Sequence, residues 1–328
     1  MRHDLCGLVV GAAAPLSGLR RRSDLAPVDW WLRFEPPPSA LRVGPWRPTR
    51  RSTLRGDDGM PLLRVDRRRG GHGGDAAWRF RYRDGCRLWL DAAAHRAWAT
   101  GAARDSLLIY LLGPPLAVTL RRRGLVPLHA SGVSLGGRLV LFAGTAGAGK
   151  STAAASCVAA GAEVVGDDVA VLEETPTGAV RVRPGASRLR LWPDAARLLF
   201  GADHGLPRLV ADWEKHALDA APARGGDGDA DAARPVDVVY LLEGEASDAA
   251  IEPLRGHRAL VALAAATHGG PLVDAASRRH ELDLLSRLVS TVPVRRLLRP
   301  RGRPRALPAA IRADLERLGL SSRASCTA

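Results

Sequence analysis

Lysine is almost missing from this 328-residue chain: Lys150 and Lys215 stand alone among 48 basic residues, the rest being arginine. Cysteine is scarce as well. Cys6, Cys86, Cys157 and Cys326 include no pair at C-x-x-C spacing, which argues against a zinc site and against a disulfide framework. A reducing cytoplasm is the expected compartment. No uncharged apolar run approaches the roughly 18–20 residues of a membrane helix, so no membrane-spanning protein is expected. What is present is ample core-forming material. Hydrophobic residues make up 46% and charged residues 25%, a balance that excludes a wholly disordered chain. The length points to two domains, or to one domain with an appendage.

Charge divides the chain. Residues 1–125 carry 23 basic and 11 acidic side chains, a net of +12, whereas residues 126–328 carry 25 and 23, a net of +2. The arginine, alanine and glycine richness fits GC-rich coding, so the excess can be a compositional accident. That is the favoured reading; an acidic peptide or anionic lipid as partner comes second and nucleic acid last, since no nucleic-acid-binding motif accompanies the charge. Leu5 to Leu19 has a faint signal-peptide character, but only Arg2 precedes it and Asp4 interrupts the basic flank. A buried strand and turn is the expectation.

Residues 1–125 read as a β-rich basic domain of short strands divided by proline, glycine and arginine. Arg79 to Leu90 predicts a hairpin turning at Asp84-Gly85. A helix over Asp105–Leu120 should break at Gly113-Pro114-Pro115. Six of the eight tryptophans lie in this half and are expected to serve mainly in packing. The boundary is placed at Arg121–Gly124. Residues 126–328 then form the second domain. Leu128–Leu135 and Arg138–Ala143 predict a hairpin across Gly136-Gly137, followed by a glycine-rich turn, a helix to Ala160 and a short strand at Ala162–Val165. Val236–Leu242 is a further strand, preceded by a Gly/Asp/Ala-rich loop over Ala221–Arg234. Helical periodicity returns at Arg258–Ala266, Ser277–Ser290 and Pro308–Leu318.

The chemistry sits in the second domain. Gly144-Thr145-Ala146-Gly147-Ala148-Gly149-Lys150-Ser151, followed by Thr152, matches G-x-x-x-x-G-K-[ST] between a strand and a helix. Such glycines let backbone N–H groups turn inward around phosphate oxygens, and the helix N-terminus adds partial positive charge. Lys150 would reach the β- and γ-phosphates of a bound triphosphate, and Ser151 would place its hydroxyl on Mg²⁺. Asp167 and Asp168 follow one helix and one strand later. A βαβ crossover returns the chain to the sheet end that carries the glycine loop. One carboxylate can then hold the metal and the other can accept a proton. His129, one strand earlier, would approach Asp167 if the hairpin packs as read; taken alone, a histidine in an apolar strand is more often a satisfied core residue. Lys215 is either a surface lysine or a contact for a phosphate or acidic group.

Leu128-His-Ala-Ser-Gly-Val133, Gly144 to Thr152 and Gly161-Ala-Glu-Val-Val-Gly-Asp-Asp-Val169 together resemble the catalytic core of HPr kinase/phosphorylase. They are similar in particular to HPr-kinase-like proteins of bacterial gene clusters for ribosomal peptides such as lasso peptides, as is Leu189-Arg-Leu-Trp-Pro-Asp194. The resemblance implies an α/β fold with a P-loop kinase core related to phosphoenolpyruvate carboxykinase. It implies an ATP-dependent serine or threonine kinase whose acceptor is a peptide or small protein. A small-molecule kinase and a non-catalytic nucleotide-binding regulator are the alternatives, and a homo-oligomer is open. Carried over by position, Lys150 and Ser151 serve phosphates and Mg²⁺. Asp167 is the base, Asp168 helps hold the metal, and His129 tunes that carboxylate. The acidic, glycine-rich second signature of the family is missing around Arg188–Asp194, which argues against HPr itself as the acceptor and against phosphorolysis.

Overall fold

The computed structural model describes every residue except 53, 54, 57, 70–75, 187, 203, 204, 210–213, 221–231, 270, 271, 273 and 321–328. The loop expected over Ala221–Arg234 thus lies mostly outside the described residues, as do Cys326 and the Asp212-Trp213 flank of Lys215. The chain is mixed α/β with several sheets. It separates into two compact units, Met1–Leu125 with Gly269–Ser277, and Val126–His268 with Arg278–Ala328.

The first unit is built on a nine-stranded sheet. Its strands are β1 (Arg2–Leu5), β2 (Leu8–Ala12), β3 (Arg20–Arg22), β4 (Trp30–Arg33), β5 (Arg47–Arg51), β6 (Leu63–Arg69), β7 (Ala76–Tyr82), β8 (Arg87–Leu90) and β9 (Arg96–Thr100). They lie in the order β3-β1-β2-β4-β9-β8-β7-β6-β5. The expected hairpin across Asp84-Gly85 is present as β7 antiparallel to β8. Gly85 takes φ +97°, and the Asp84 carboxylate accepts the Cys86 N–H at 3.0 Å, which closes the turn. Three helices accompany the sheet: α1 (Ser39–Arg42), α2 (Arg104–Leu111) and α3 (Pro114–Arg121). The break between α2 and α3 falls at the expected prolines; Pro114 opens α3, where a missing N–H costs nothing. Strand alternation sends Val10, Trp30, Leu32, Val65, Phe80, Leu88 and Ala97 to one buried face.

The second unit centres on a six-stranded sheet. In chain order its unit begins with β10 (Val126–Leu128), β11 (Ala130–Leu135), β12 (Arg138–Ala143), α4 (Lys150–Ala159), β13 (Glu163–Gly166), β14 (Ala170–Glu174) and β15 (Val180–Arg183). There follow β16 (Arg188–Leu191), α5 (Pro193–Phe200), β17 (His216–Asp219), β18 (Arg234–Pro235), β19 (Val238–Ala246) and β20 (Ala250–Pro253). Last come α6 (Gly256–Ala265), α7 (Ala275–Thr291), β21 (Val294–Pro300) and α8 (Leu307–Arg317). The sheet order is β13-β11-β12-β19-β21-β20. β12, β19 and β21 run parallel, while β11 is antiparallel to both β12 and β13.

β12 is buried on both sides, and its period of two divides it between two cores. Leu139, Leu141 and Ala143 pack with α6 and α7 residues such as Leu263, Leu284 and Leu288. Val140 and Phe142 pack with Ala154 and Cys157 of α4 and Ile311 of α8. Together the two clusters hold the strand that carries the glycine loop rigidly from both faces. No helix among the described residues is long and apolar enough to cross a membrane.

One expected element is divided. Leu128–Leu135 reads as a continuous strand, but the chain changes sheets at His129. β10 pairs with β14, and β11 pairs with β12. At the junction the His129 N–H donates to Ala266 O at 2.8 Å, and His268 N–H donates to Pro127 O at 2.8 Å. The backbone groups freed by leaving one sheet are therefore satisfied by the segment after α6.

Candidate active site

The glycine loop leaves β12 and enters α4 as expected. Gly144, Gly147 and Gly149 have φ of +152°, +82° and +88°, a region that side-chain-bearing residues rarely adopt. Gly149 is the N-cap of α4, and no side chain caps that end. The first-turn N–H groups and the positive end of the helix are left to a ligand. Thr145, Ala146 and Gly147 are exposed, Ala148 packs against the Phe142 side of the core, and Ser151 and Thr152 form the first turn of α4. Lys150 is 5% exposed and folds back along the loop, donating to Gly144 O at 3.1 Å and Thr145 O at 2.8 Å. Burial pulls its ammonium below the ordinary lysine value, with Asp168 and Asp167 opposing that shift.

β13 delivers the aspartates to the same end of the sheet. Gly132 near the start of β11 pairs with Gly166 at the end of β13, and Ala130 pairs with Ala143 at the end of β12. Asp167 is nearly buried and engaged through both oxygens. Its Oδ1 accepts Ser131 Oγ–H at 2.5 Å and Ser151 Oγ–H at 2.9 Å; its Oδ2 accepts the Arg190 N–H at 2.9 Å. Asp168 adopts φ +71°, a left-handed conformation that aspartate tolerates better than most residues, at a cost of about 1 kcal/mol. Its carboxylate takes a different set of partners, meeting His129 Nε2 at 3.1 Å and Arg190 Nη1 at 3.1 Å. Burial, the largest single influence, would raise the Asp168 carboxyl, but the Arg190 guanidinium and the His129 imidazole together outweigh it. With His268 adding in the same direction, the group is held well below the usual carboxylate range.

The expected approach of His129 to Asp167 is therefore corrected: the imidazole meets Asp168. The sheet change at His129 turns the ring away from the strand, and Asp167 is already taken by the two serines and a backbone amide. The core-histidine alternative falls with it, since the His129 side chain is 23% exposed and also makes an edge contact with His268 at 5.7 Å.

Three further residues belong to this constellation and carried no role in the sequence reading. Ser131 lies inside the Leu128–Val133 motif, two residues after His129. Arg190 lies inside Leu189–Asp194, and it bridges both aspartates, one through its backbone and one through its guanidinium. Arg299 comes from the end of β21. Its guanidinium lies so close to Gly149 that a Cβ there would sit 2.6 Å from Cζ and Nη1. Its Nη2 meets Glu245 Oε1 at 3.1 Å, and its Nε has no partner among the described residues. Lys215 Nζ lies 5.0 Å from the centre of the Trp192 ring, itself 53% exposed, and its charge is felt at Lys150.

The residues fit a nucleotide and a hard cation. The loop has inward-turning glycines, an uncapped helix end and a buried ammonium. The Ser151 hydroxyl and Asp167 carboxylate, in contact at 2.9 Å, are an all-oxygen pair of the kind Mg²⁺ takes while retaining waters. No group of three or more metal-ligating side chains occurs among the described residues, so a cation here would rely on phosphate and water for its remaining ligands.

No family model matches the sequence, and no curated protein matches it. Among solved structures the chain is similar to the Hpr(Ser) kinase/phosphatase from Coxiella burnetii, at 14% identity and a TM-score of 0.32, over 59% of this chain and 98% of that one. This is a distant structural likeness.

Proposed function

We propose that residues 126–328 form an ATP-dependent, Mg²⁺-assisted phosphotransferase acting on a serine or threonine hydroxyl of a peptide or small protein. The observation that carries the reading is the convergence, at one end of one sheet, of a lysine-bearing glycine loop, a Ser151–Asp167 oxygen pair and an Asp168–His129–Arg190 cluster. The peptide acceptor rests on the resemblance of Leu128–Val133, Gly144–Thr152 and Gly161–Val169 to HPr-kinase-like proteins. The exposed Trp192 beside Lys215 offers a surface on which such a chain can lie.

In-line transfer to a hydroxyl demands positioning and charge stabilisation more than covalent chemistry from the protein. Mg²⁺, when bound, neutralises charge on the phosphate oxygens. The α4 N-terminus and Lys150 hold those oxygens, Lys150 exchanging its loop carbonyls for phosphate. The acceptor oxygen forms its bond to the γ-phosphorus as the bond to the β,γ-bridging oxygen breaks. The hydroxyl proton passes to a carboxylate, and ADP leaves. The hydrogen-bond pattern favours reversing the two aspartates relative to the family-based expectation. Asp167 accepts three hydrogen bonds, one of them from Ser151, and of the roughly four acceptor sites of its carboxylate one is left on the group that meets that hydroxyl, which suits the metal side. Asp168 is more open, and His129 and Arg190 keep it ionised, which suits orienting the acceptor hydroxyl; its lowered proton affinity makes proton transfer to it late, once bonding to phosphorus has acidified the hydroxyl.

The test incubates the full chain with γ-labelled ATP, Mg²⁺, serine-containing peptides and small hydroxylic metabolites. Label on a peptide supports the proposal. Label on a metabolite alone replaces it with a small-molecule kinase, and tight ATP binding without transfer replaces it with a nucleotide-binding regulator. ATP binding that is indifferent to Lys150→Ala removes the nucleotide site altogether.

A further inference from the structure

The first unit's sheet has a second face, opposite the buried one, and its composition is unusual. Register places Asp66, Arg79, Trp89, Trp98 and Arg33 side by side across β6, β7, β8, β9 and β4, with Trp31 opposite Arg96 one step along. Next to them Trp46 stands between two guanidinium groups, with Arg68 at 5.2 Å and Arg79 at 4.9 Å from its ring centre. Asp66 is the one acid of this row, and it is consumed by Arg79 and Arg81. Over β4 and β9, in the middle of the sheet, lies an open basin of about 690 Å³ lined by Trp98 and Pro36–Pro38, with Arg33, Arg42 and Arg96 around it. Glu35 offsets Arg33 at 3.4 Å, but no carboxylate among the described residues pairs with Arg42 or Arg96.

We propose that this face binds an acidic polypeptide segment, with the arginines meeting carboxylates and the Trp98-lined basin taking an apolar side chain between them. Three arginines around a basin with one acid give a local positive field, and unpaired guanidinium groups favour planar carboxylates. Base stacking by single-stranded nucleic acid needs a run of open aromatic faces. Here Trp98 is 6% exposed and Trp46 has arginines against its ring, while Trp31 is 38% exposed. One exposed ring among arginines favours a carboxylate-bearing chain over a track of stacked bases.

The experiment uses the full chain and a fluorescein-labelled peptide of alternating glutamate and leucine, read by anisotropy. Binding should weaken steeply between about 50 and 300 mM salt, as exposed charges are screened. Changing Arg33, Arg42 and Arg96 together to glutamine should weaken it about tenfold. The same change at Arg255, Arg258 and Arg279, exposed arginines of the second unit, should leave it alone. If the triple variant loses its native circular dichroism, Arg42→Gln and Arg96→Gln singly carry the test, each with a two- to fourfold loss. Indifference to these changes, or equal loss in the control variant, overturns the proposal. Tighter binding of oligo(dT) with the same arginine dependence overturns it in favour of nucleic acid. Lys150→Ala should not affect peptide binding, which keeps this surface separable from the nucleotide reading.

Discussion

Arginine is abundant in both units, and it does different work in each. In the second unit arginines meet acids: Arg138 with Asp237, Arg188 with Asp219, Arg190 with Asp168, Arg278 with Glu281, Arg295 with Asp314, Arg299 with Glu245. Several of these pairs are buried and hold secondary elements in register. Asp314, fully buried, accepts from Arg295 and also from Tyr240 at 3.0 Å, tying α8 to β21 and β19. In the first unit carboxylates are too few. Arg42, Arg47, Arg50, Arg51 and Arg96 meet none among the described residues, Arg67 and Arg68 lie over tryptophan rings, and Arg79 lies over Trp46 while also pairing with Asp66. The edge strand β5 is exposed along its whole length, and its arginines and Pro48 discourage pairing with another sheet. The comparison teaches that net charge alone does not assign a role. A +2 region places its few decisive charges at one sheet end, and a +12 region spreads its charge over a surface.

The largest effect that would break this comparison belongs to Lys150. Lys150→Ala should abolish phosphoryl transfer and strongly weaken ATP binding, measured by calorimetry on protein with an unchanged melting curve. Unaltered turnover would mean that the decisive charges of the second unit lie elsewhere.

Next come the aspartates. Asp168→Asn should lower the transfer rate by about 10²–10⁴ with ATP·Mg²⁺ affinity nearly intact. Asp167→Asn should raise the Mg²⁺ concentration required for half-maximal rate, and it should also destabilise the fold by about 1–3 kcal/mol, since Ser131 and the Arg190 amide lose a charged acceptor. Mg²⁺ titrations that sort the two variants the other way would return the base role to Asp167.

Arg299→Gln should weaken ATP binding about tenfold with little change in the maximal rate, because its guanidinium lies against Gly149 and pairs with Glu245 rather than with Asp167 or Asp168. A rate loss at unchanged affinity would place Arg299 with the reacting groups. A smaller effect follows from Lys150 itself. Burial lowers its proton affinity in the free protein, and bound phosphate restores it. ATP binding should therefore weaken as pH rises toward about 10 and should take up protons there. Calorimetry in buffers of different ionisation enthalpy reads that uptake, and its absence would show that Lys150 is fully charged before ATP arrives.

Much of the second unit was legible in local pattern. The strand, glycine loop and helix occur in the order that the G-x-x-x-x-G-K-S spacing demands, because φ > 0 glycines and an N-terminal lysine are local requirements. The Asp84-Gly85 hairpin and the proline break between α2 and α3 are likewise dictated by turn and helix-start chemistry. The division of Leu128–Leu135 was not legible, since both halves are apolar and β-forming, and the switch depends on the segment after α6.

What the amino-acid sequence determined by itself was the strand, glycine loop and helix order around Gly144–Ser151, the Asp84-Gly85 hairpin and the break before α3. Those choices follow from interactions within a few residues. What the tertiary structure alone decided was partnership. Ser131 reaches Asp167, Arg190 spans both aspartates, His129 chooses Asp168, and Arg299 covers Gly149. Each of these contacts joins residues that sheet order, rather than chain order, makes neighbours. An arginine at position 190 or 299 has the same local signature as dozens of others, and only the strand that carries it to the open end of the sheet gives it a task.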